Sequence, residues 1–183
     1  MAIKLADMTH DRLVLGVDPS FNRTGWALME PRSATLLAYG VIAPRGGDRA
    51  ANLFHIQWQF KRVLQTWLPG AAYFERPGTW QRRGGTRRET LEVMAMARGV
   101  MLAACAELAV PAFEIDFQVA RRALLGRRKI TVTSVVDFVR SLGFDLPVRP
   151  RGSTDFDIVN AILIGIYGLS CQPPRALALL ENA

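Results

Sequence analysis

The residues Leu13-Val14-Leu15-Gly16-Val17-Asp18-Pro19-Ser20, followed by Thr24-Gly25-Trp26-Ala27-Leu28, decide how the rest of the chain is interpreted. The apolar run that ends at Asp18 predicts a buried strand, and the turn and second apolar run after it predict a β-hairpin. A charge buried without a partner is costly, so an acid in such a row normally pairs with another group or binds a metal. Asp18 is equally explained as a turn cap, a role that aspartate often takes before proline.

The remaining elements predict a single sheet with helices on its faces. Further strands are expected over Thr35–Ile42, 71–75 (ending in Glu75) and Pro111–Ile115. Helices are expected before Pro69-Gly70 and over residues 89–108, 117–125, 131–142 and about 155–169. A three-strand antiparallel meander followed by two parallel strands that alternate with helices is typical of an α/β protein with a mixed five-stranded sheet.

Length and composition favour one soluble domain. The chain has 183 residues, a length typical of a single domain, and its first and last segments, 1–12 and 171–183, are expected to be tails. Its apolar runs are shorter than the roughly 18–20 residues needed to cross a membrane, and residues 1–12 do not have the pattern of a signal peptide. A cytosolic protein is therefore expected. Cys105 and Cys171 lie in apolar helical patterns and are interpreted as small buried residues.

The positive charge is concentrated in a few segments. The net charge is +7, from 23 basic and 16 acidic residues. Nearly half of the basic residues fall in three groups, which are Arg82, Arg83, Arg87 and Arg88; Arg121, Arg122, Arg127, Arg128 and Lys129; and Arg149 and Arg151. Clustered arginine favours phosphate contacts and a nucleic-acid partner. The alternative is a solvated surface held by ion pairs.

The last predicted helix combines an apolar stripe with acids at its start. Its stripe residues recur at helical spacing, namely Ile158, Ala161, Ile162, Gly165, Ile166 and Leu169. Asp157 and Asn160 are three residues apart, so they share one face of this helix. One of Asp155 and Asp157 can be explained as a helix cap, but the second is harder to explain in that way.

Several of these motifs together resemble a known family. Leu15-Gly16-Val17-Asp18-Pro19-Ser20 with Thr24-Gly25-Trp26 resembles the opening motif of RuvC-type Holliday-junction resolvases, a branch of the ribonuclease H-like nucleases. Tyr73-Phe74-Glu75 is similar to the family's second acidic strand, and Ala97-Arg98-Gly99-Val100 is similar to the helix after it. The segment Gln118-Val119 with Leu124-Leu125-Gly126 is similar to the approach to the family's basic loop, and residues 157–166 are similar to its final acidic helix. The resemblance covers about residues 13–169 in the same order.

The resemblance implies a ribonuclease H-like fold and a dimeric, Mg²⁺-dependent endonuclease that nicks four-way DNA junctions symmetrically. Asp18, Glu75 and Asp157 would be the metal ligands. The family usually has an acid where this chain has Asn160, which can coordinate through its carbonyl oxygen but adds no charge. Asp155 could substitute for that acid if it precedes the helix; inside the helix it would lie about 200° from Asp157.

The chemistry that such a nuclease needs agrees with these residue types. Two divalent ions about 3.5–4 Å apart neutralise the transition state, activate water and stabilise the leaving oxygen. Mg²⁺ prefers oxygen ligands such as carboxylates, and Mn²⁺ is expected to substitute for it. His10 and His55 have no link to the acids, so neither is assigned a catalytic role.

The resemblance also suggests which residues contact DNA. Trp80, in the arginine-rich loop after Glu75, would stack on bases or insert between them at a junction; the alternative is an indole folded back on the surface. The basic residues expected to hold phosphates are Arg82, Arg83, Arg87, Arg88, Arg127, Arg128 and Lys129. A homodimer is expected, with the helix over residues 89–108 as its interface.

Two other functions stay open at this point. One is a nuclease of the same fold that acts on other branched DNA or on flaps. The other is a non-catalytic junction-binding protein whose metal site has decayed at Asn160, although the presence of Asp18, Glu75 and Asp157 together argues against decay.

Overall fold

The computed structural model of the protein describes residues 13–31, 35–44, 46–76, 88–126, 132–143 and 155–171. The strands are β1 (Val14–Asp18), β2 (Thr24–Glu30), β3 (Thr35–Ile42), β4 (Ala71–Arg76) and β5 (Ala112–Asp116). The helices are α1 (Arg49–Trp67), α2 (Arg88–Glu107), α3 (Phe117–Leu125), α4 (Val132–Ser141) and α5 (Phe156–Cys171). The order of elements agrees with the sequence-based prediction, and the bounds differ from it by at most two residues.

The five strands form one mixed sheet in the order β3-β2-β1-β4-β5. β1 pairs antiparallel with β2, and β2 with β3, so the first three strands form the predicted meander. β4 runs parallel to β1, and β5 runs parallel to β4. The predicted fold class is therefore confirmed, and β1 is the central strand, where an apolar sequence is needed because helices cover both faces.

The side chains of β1 alternate between two cores. Leu15 and Val17 pack into the cluster formed with α1 and α2, while Val14 packs with α5 and α4 on the other face. Since successive side chains of a strand point to opposite faces, Gly16 and Asp18 lie on the α5 face with Val14. The same alternation in β4 places Glu75 on that face, because Tyr73 packs with α5 and Phe74 packs with α1 and α2.

Helix α5 is buried against the centre of the sheet, as its sequence predicts. Its apolar side chains from Ile158 to Ile164 are all buried, and the polar Asn160 among them is half-buried. Each fully buried Ile, Leu or Val stabilises the fold by about 1.5–3 kcal/mol relative to exposure. A β-carbon added at Gly16 would lie 2.1 Å from the carbonyl oxygen of Ala161. Glycine is therefore required where β1 crosses this helix.

Two smaller findings complete the fold. Cys105 is buried in the core on the α1 and α2 face, as predicted, and burial raises the pKa of its thiol to about 12. Within the described residues, no helix is both long enough and apolar enough to cross a membrane. The predicted tails, apart from Cys171 at the end of α5, lie outside the described residues.

Candidate active site

Asp18 and Glu75 meet at the carboxyl ends of two neighbouring parallel strands. Val17 of β1 is in register with Phe74 of β4, so the next residue of each strand, Asp18 and Glu75, stand side by side on the α5 face. Their carboxyl groups are close enough that each affects the pKa of the other.

Both carboxyl groups of this pair are harder to ionise than usual. The pKa of Asp18 lies well above its ordinary value, chiefly because burial removes hydration and also because Glu75 is close. Burial also raises the pKa of Glu75. Two acids at one site whose negative charge is poorly solvated are typical of a site that binds a cation.

Helix α5 brings an amide to the same place. The Nδ2 group of Asn160 donates a hydrogen bond to Oδ2 of Asp18 at 3.0 Å, across 142 residues of sequence. This bond favours the ionised form of Asp18 and opposes part of the effect of burial. The donor is the amide nitrogen, so the carbonyl oxygen of Asn160 is not used in this bond and has the chemistry of a metal ligand.

A close backbone contact sets the position of Asp157. A β-carbon added at Gly25 of β2 would lie 2.1 Å from the carbonyl oxygen of Asp157. Gly25 is itself in register with Asp18, so the sheet contacts the first turn of α5 directly beside the acid pair. Asp157 adds to the negative field that acts on Asp18, although less than Glu75 does.

Arg23, which the sequence alone did not identify, contacts both Asp155, just before α5, and Asp157, in its first turn. Arg23, in the turn between β1 and β2, forms an ion pair with Asp155 through Nη2. Its Nε also lies 2.7 Å from Oδ2 of Asp157. Asp155 immediately precedes α5, is buried, and its carbonyl oxygen accepts the amide hydrogen of Val159. A lone arginine in a turn gives little sequence signal; the two acids later in the chain were the only indication of it.

A second arginine faces Glu75 from helix α3. The guanidinium of Arg121 lowers the pKa of Glu75, although less than burial raises it. Its guanidinium also lies over the ring of Phe117, 5.3 Å from the ring centre. The sequence analysis placed Arg121 in a basic cluster without assigning it to the site; its position one turn after Phe117, which directly follows β5, was the available signal.

The oxygen donors at this place suit a divalent metal. Asp18, Glu75 and Asn160 offer hard oxygen donors at one place, which suits Mg²⁺. Within the described residues, no three His, Cys, Asp or Glu side chains are already gathered closely enough to hold an ion. The residues therefore fit a metal at the Asp18 and Glu75 pair, while the carboxylate of Asp157 is engaged by Arg23.

Other predicted site residues could not be placed. Trp80, Arg82, Arg83, Arg87, Arg127, Arg128 and Lys129 lie outside the described residues, and for Arg88 only the backbone, at the start of α2, is described. His55 lies beside Trp26 and Trp58 in a groove near β3 and α1, away from the acid pair.

Comparisons with known proteins agree with this geometry. The model of the family described as crossover junction endodeoxyribonuclease RuvC matches residues 14–166. The RuvC of Nitratidesulfovibrio vulgaris (strain Hildenborough) is 33% identical over 144 residues, which are 78% of this chain and 82% of that protein. The RuvC of Prochlorococcus marinus (strain MIT 9313) is 27% identical over 159 residues, 85% of this chain and 96% of that protein.

Solved structures show the same fold. A structure titled T. thermophilus RuvC in complex with Holliday junction substrate superposes with a TM-score of 0.70 at 21% identity, covering 85% of this chain and 92% of that one. The yeast mitochondrial Holliday junction resolvase Ydc2 superposes with a TM-score of 0.59 at 13% identity, covering 85% and 77% of the two chains. The chain belongs to the RuvC family of crossover junction endodeoxyribonucleases and has its ribonuclease H-like fold.

Proposed function

We propose that the protein is a divalent-metal-dependent endonuclease that resolves four-way DNA junctions by paired symmetric nicks. The observation that carries the proposal is the acid pair Asp18 and Glu75, which lie side by side at the ends of parallel strands, with Asn160 bonded to Asp18. Family membership supports the same activity, because the family and the relatives named above are crossover junction endodeoxyribonucleases.

The cofactor in this proposal is Mg²⁺, with two ions per site and Mn²⁺ as a substitute. The residues that would hold them are Asp18, Glu75, Asp157 and Asn160. The ions would supply charge neutralisation on the phosphodiester and a more acidic water. Asp18 lies between Glu75 and Asn160, so it is the carboxylate best placed to serve both ions. Asp155 is a weaker candidate for the fourth ligand, since its carboxylate is buried against Arg23.

The protein's own side chains prepare this site for a cation. Burial of the Asp18 and Glu75 carboxyl groups makes their ionisation unfavourable when no cation is bound beside them. Arg121 assists ionisation of Glu75, and the amide of Asn160 orients Asp18 through Oδ2. A bound cation would favour the ionised form of both carboxyl groups, so metal affinity should rise with pH.

DNA contacts are proposed for the basic residues and the tryptophan of the two loops named above. Trp80 would stack at the branch point, Arg82, Arg83, Arg87 and Arg88 would hold flanking phosphates, and Arg127, Arg128 and Lys129 would hold another arm. Each phosphate contact should steepen the salt dependence of binding. Trp80→Ala should reduce the preference for junction over linear duplex more than it reduces overall DNA affinity.

The proposed assembly is a cytoplasmic homodimer formed through α2. This helix exposes the apolar side chains of Leu91 and Met96, which favours a covered surface there. Paired nicks also require two active sites. The double variant Leu91→Asp with Met96→Asp should be a monomer in light scattering. Its nicks should no longer be paired on opposite strands.

One experiment tests the activity and its rivals. Labelled four-way junction, flap and linear duplex are incubated with Mg²⁺, Mn²⁺ or EDTA, and the products are separated on denaturing gels. Symmetric paired nicks in the junction, dependent on metal, are expected. Preferential cutting of the flap would favour the related nuclease, and binding without cutting in either metal would favour a decayed site at Asn160.

A further inference from the structure

Arg23 forms ion pairs with two acids at once, and the two acids differ in how readily each can give up its ion pair. Asp155 is buried, whereas the side chain of Asp157 keeps 25% of its surface exposed. A buried carboxylate that loses its partner is strongly destabilising, while an exposed one can be hydrated. Asp155 is therefore the fixed anchor of Arg23, and Asp157 is the partner that can be released.

The contact with Arg23 matters because Asp157 is also a proposed metal ligand. Oδ2 of Asp157 already lies 2.7 Å from a guanidinium nitrogen. Within the described part of the chain, no three acidic side chains lie close enough together to hold a metal ion. A divalent ion that uses Asp157 must therefore take this oxygen from Arg23 or bind next to a positive charge.

We propose that Arg23 is a resident cation that competes with the divalent metal for Asp157, and that Asp155 sets the strength of this competition by sharing the charge of Arg23. The inference rests on the proposed function, because it takes Asp157 as a metal ligand. Arg23 acts through Asp157 and is a positioning residue. It makes metal binding at Asp157 weaker than binding at the pair formed by Asp18 and Glu75.

The competition predicts opposite effects for two variants that differ at one position. Asp155→Asn leaves the charge of Arg23 to Asp157 alone, so metal binding should weaken. Adding Arg23→Gln to Asp155→Asn removes the competitor and leaves two neutral amide-bearing side chains in the buried space, so metal binding should become tighter than in the unsubstituted protein. The double variant has the same net charge as the unsubstituted protein, so a long-range field does not produce the difference.

The experiment measures Mn²⁺ binding to the DNA-free protein by electron paramagnetic resonance of the unbound ion, at fixed pH and ionic strength. We expect the weaker class of sites to shift by about tenfold in each direction, the scale on which partners of metal ligands act. Arg23→Lys keeps a cation beside Asp157 and should resemble the unsubstituted protein more than the double variant. The Mg²⁺ concentration for half-maximal junction cleavage should move in the same order.

A matched ion pair on the opposite face of the sheet is the control. Lys61 of α1 and Glu107 of α2 approach to 2.5 Å, and replacing both by Gln should leave Mn²⁺ binding unchanged. Loss of affinity in the double variant, or no change in either variant, would overturn the inference. Structural damage does not produce tighter binding, so a gain of affinity cannot be attributed to misfolding. If the unsubstituted protein neither binds Mn²⁺ nor cuts junctions, the proposed function fails and the inference with it.

Discussion

The amide of Asn160 donates to the carboxyl of Asp18 at 3.0 Å, linking helix α5 to the central strand. A carboxylate in place of this amide would face Asp18 with the same charge. The amide therefore relieves repulsion in the metal-free protein, but it adds no negative charge that would attract a metal. This trade between stability and metal affinity can be tested directly.

Asn160→Asp should increase metal affinity and decrease stability without metal. The added charge should lower the Mg²⁺ concentration for half-maximal cleavage by roughly fivefold to tenfold, a modest fraction of the Coulomb energy of two charges at close range. Melting curves in EDTA should show a lower Tm, because a donor to Asp18 is lost. An unchanged Mg²⁺ requirement would mean that Asn160 does not face the metal; Asn160→Ala, which removes both oxygen and donor, should raise the requirement.

Asp18→Asn should abolish cleavage and preserve binding. The carboxylate is the proposed common ligand of both ions, so cleavage should fall by at least about 100-fold, a typical loss for one electrostatic contact in a transition state. Junction affinity measured in EDTA should stay the same, because Asp18 contacts no DNA in the proposal. Asp48→Asn is the matched control: Asp48 caps α1 by accepting the amide hydrogen of Ala51, and Asn caps helices as well as Asp.

The metal-free protein should become less stable as pH rises. The folded pKa values of Asp18 and Glu75 are raised above their ordinary 3.8 and 4.5. Between the ordinary and the raised values, the folded state binds more protons than the unfolded state, so the free energy of unfolding falls with pH through this window and then levels off. Tm measured in EDTA across this range should show the decline, and Asp18→Asn should remove most of it. A flat profile for the unsubstituted protein would contradict the raised pKa values of this pair.

Arg121→Gln should move the acidic limb of the pH–rate profile toward higher pH. Arg121 lowers the pKa of Glu75, so its removal leaves Glu75 protonated at higher pH. Arg122→Gln is the neighbouring control, since Arg122 donates to the carbonyl oxygen of Gln118 on the exposed surface of α3. A uniform loss of rate at every pH, with no shift of the limb, would show that Arg121 does not act through Glu75.

Gly25→Ala should damage both the fold and the site. The added methyl group would lie 2.1 Å from the carbonyl oxygen of Asp157, and overpacking of this kind costs about 1–3 kcal/mol. The first turn of α5 would move away from the sheet, so Tm and cleavage should fall together. Gly99→Ala is the control, because no neighbouring heavy atom lies within 4 Å of a β-carbon there, and alanine should stabilise this helix by about 0.5–1 kcal/mol. Equal Tm values for the two variants would exclude the close contact at Gly25.

The sequence was sufficient to predict the mixed sheet, with its antiparallel meander and two parallel strands, and the elements that carry the acids. Alternation along β1 and β4 predicts which face each side chain takes, and the run that ends at Glu75 repeats the pattern that ends at Asp18. The stripe of α5 likewise identifies the helix that covers them. These periodic patterns are local in sequence, so they can be recognised without knowledge of tertiary contacts.

The polar contacts of the site could not be predicted in the same way. Arg23 and Asp155 are 132 residues apart, and the crossing of β2 by α5 is what brings them together. The hydrogen bond from Asn160 to Asp18 depends on the rotation of α5 about its axis, which close contact at Gly16 and Gly25 sets. Arg121 was one of several arginines in a basic cluster, and composition does not distinguish the one that faces an acid from those that face solvent.

The glycine contacts at Gly16 and Gly25 also bear on when the protein can become active during its synthesis. Asp18 and Glu75 leave the ribosome early, whereas Asp157 and Asn160 belong to the last helix described. Until that helix packs against the two glycines, the acid pair has neither Asn160 nor Asp157 beside it. A nascent or truncated chain that ends before residue 155 should therefore not cut DNA, and cleavage should begin only after α5 has packed against the sheet.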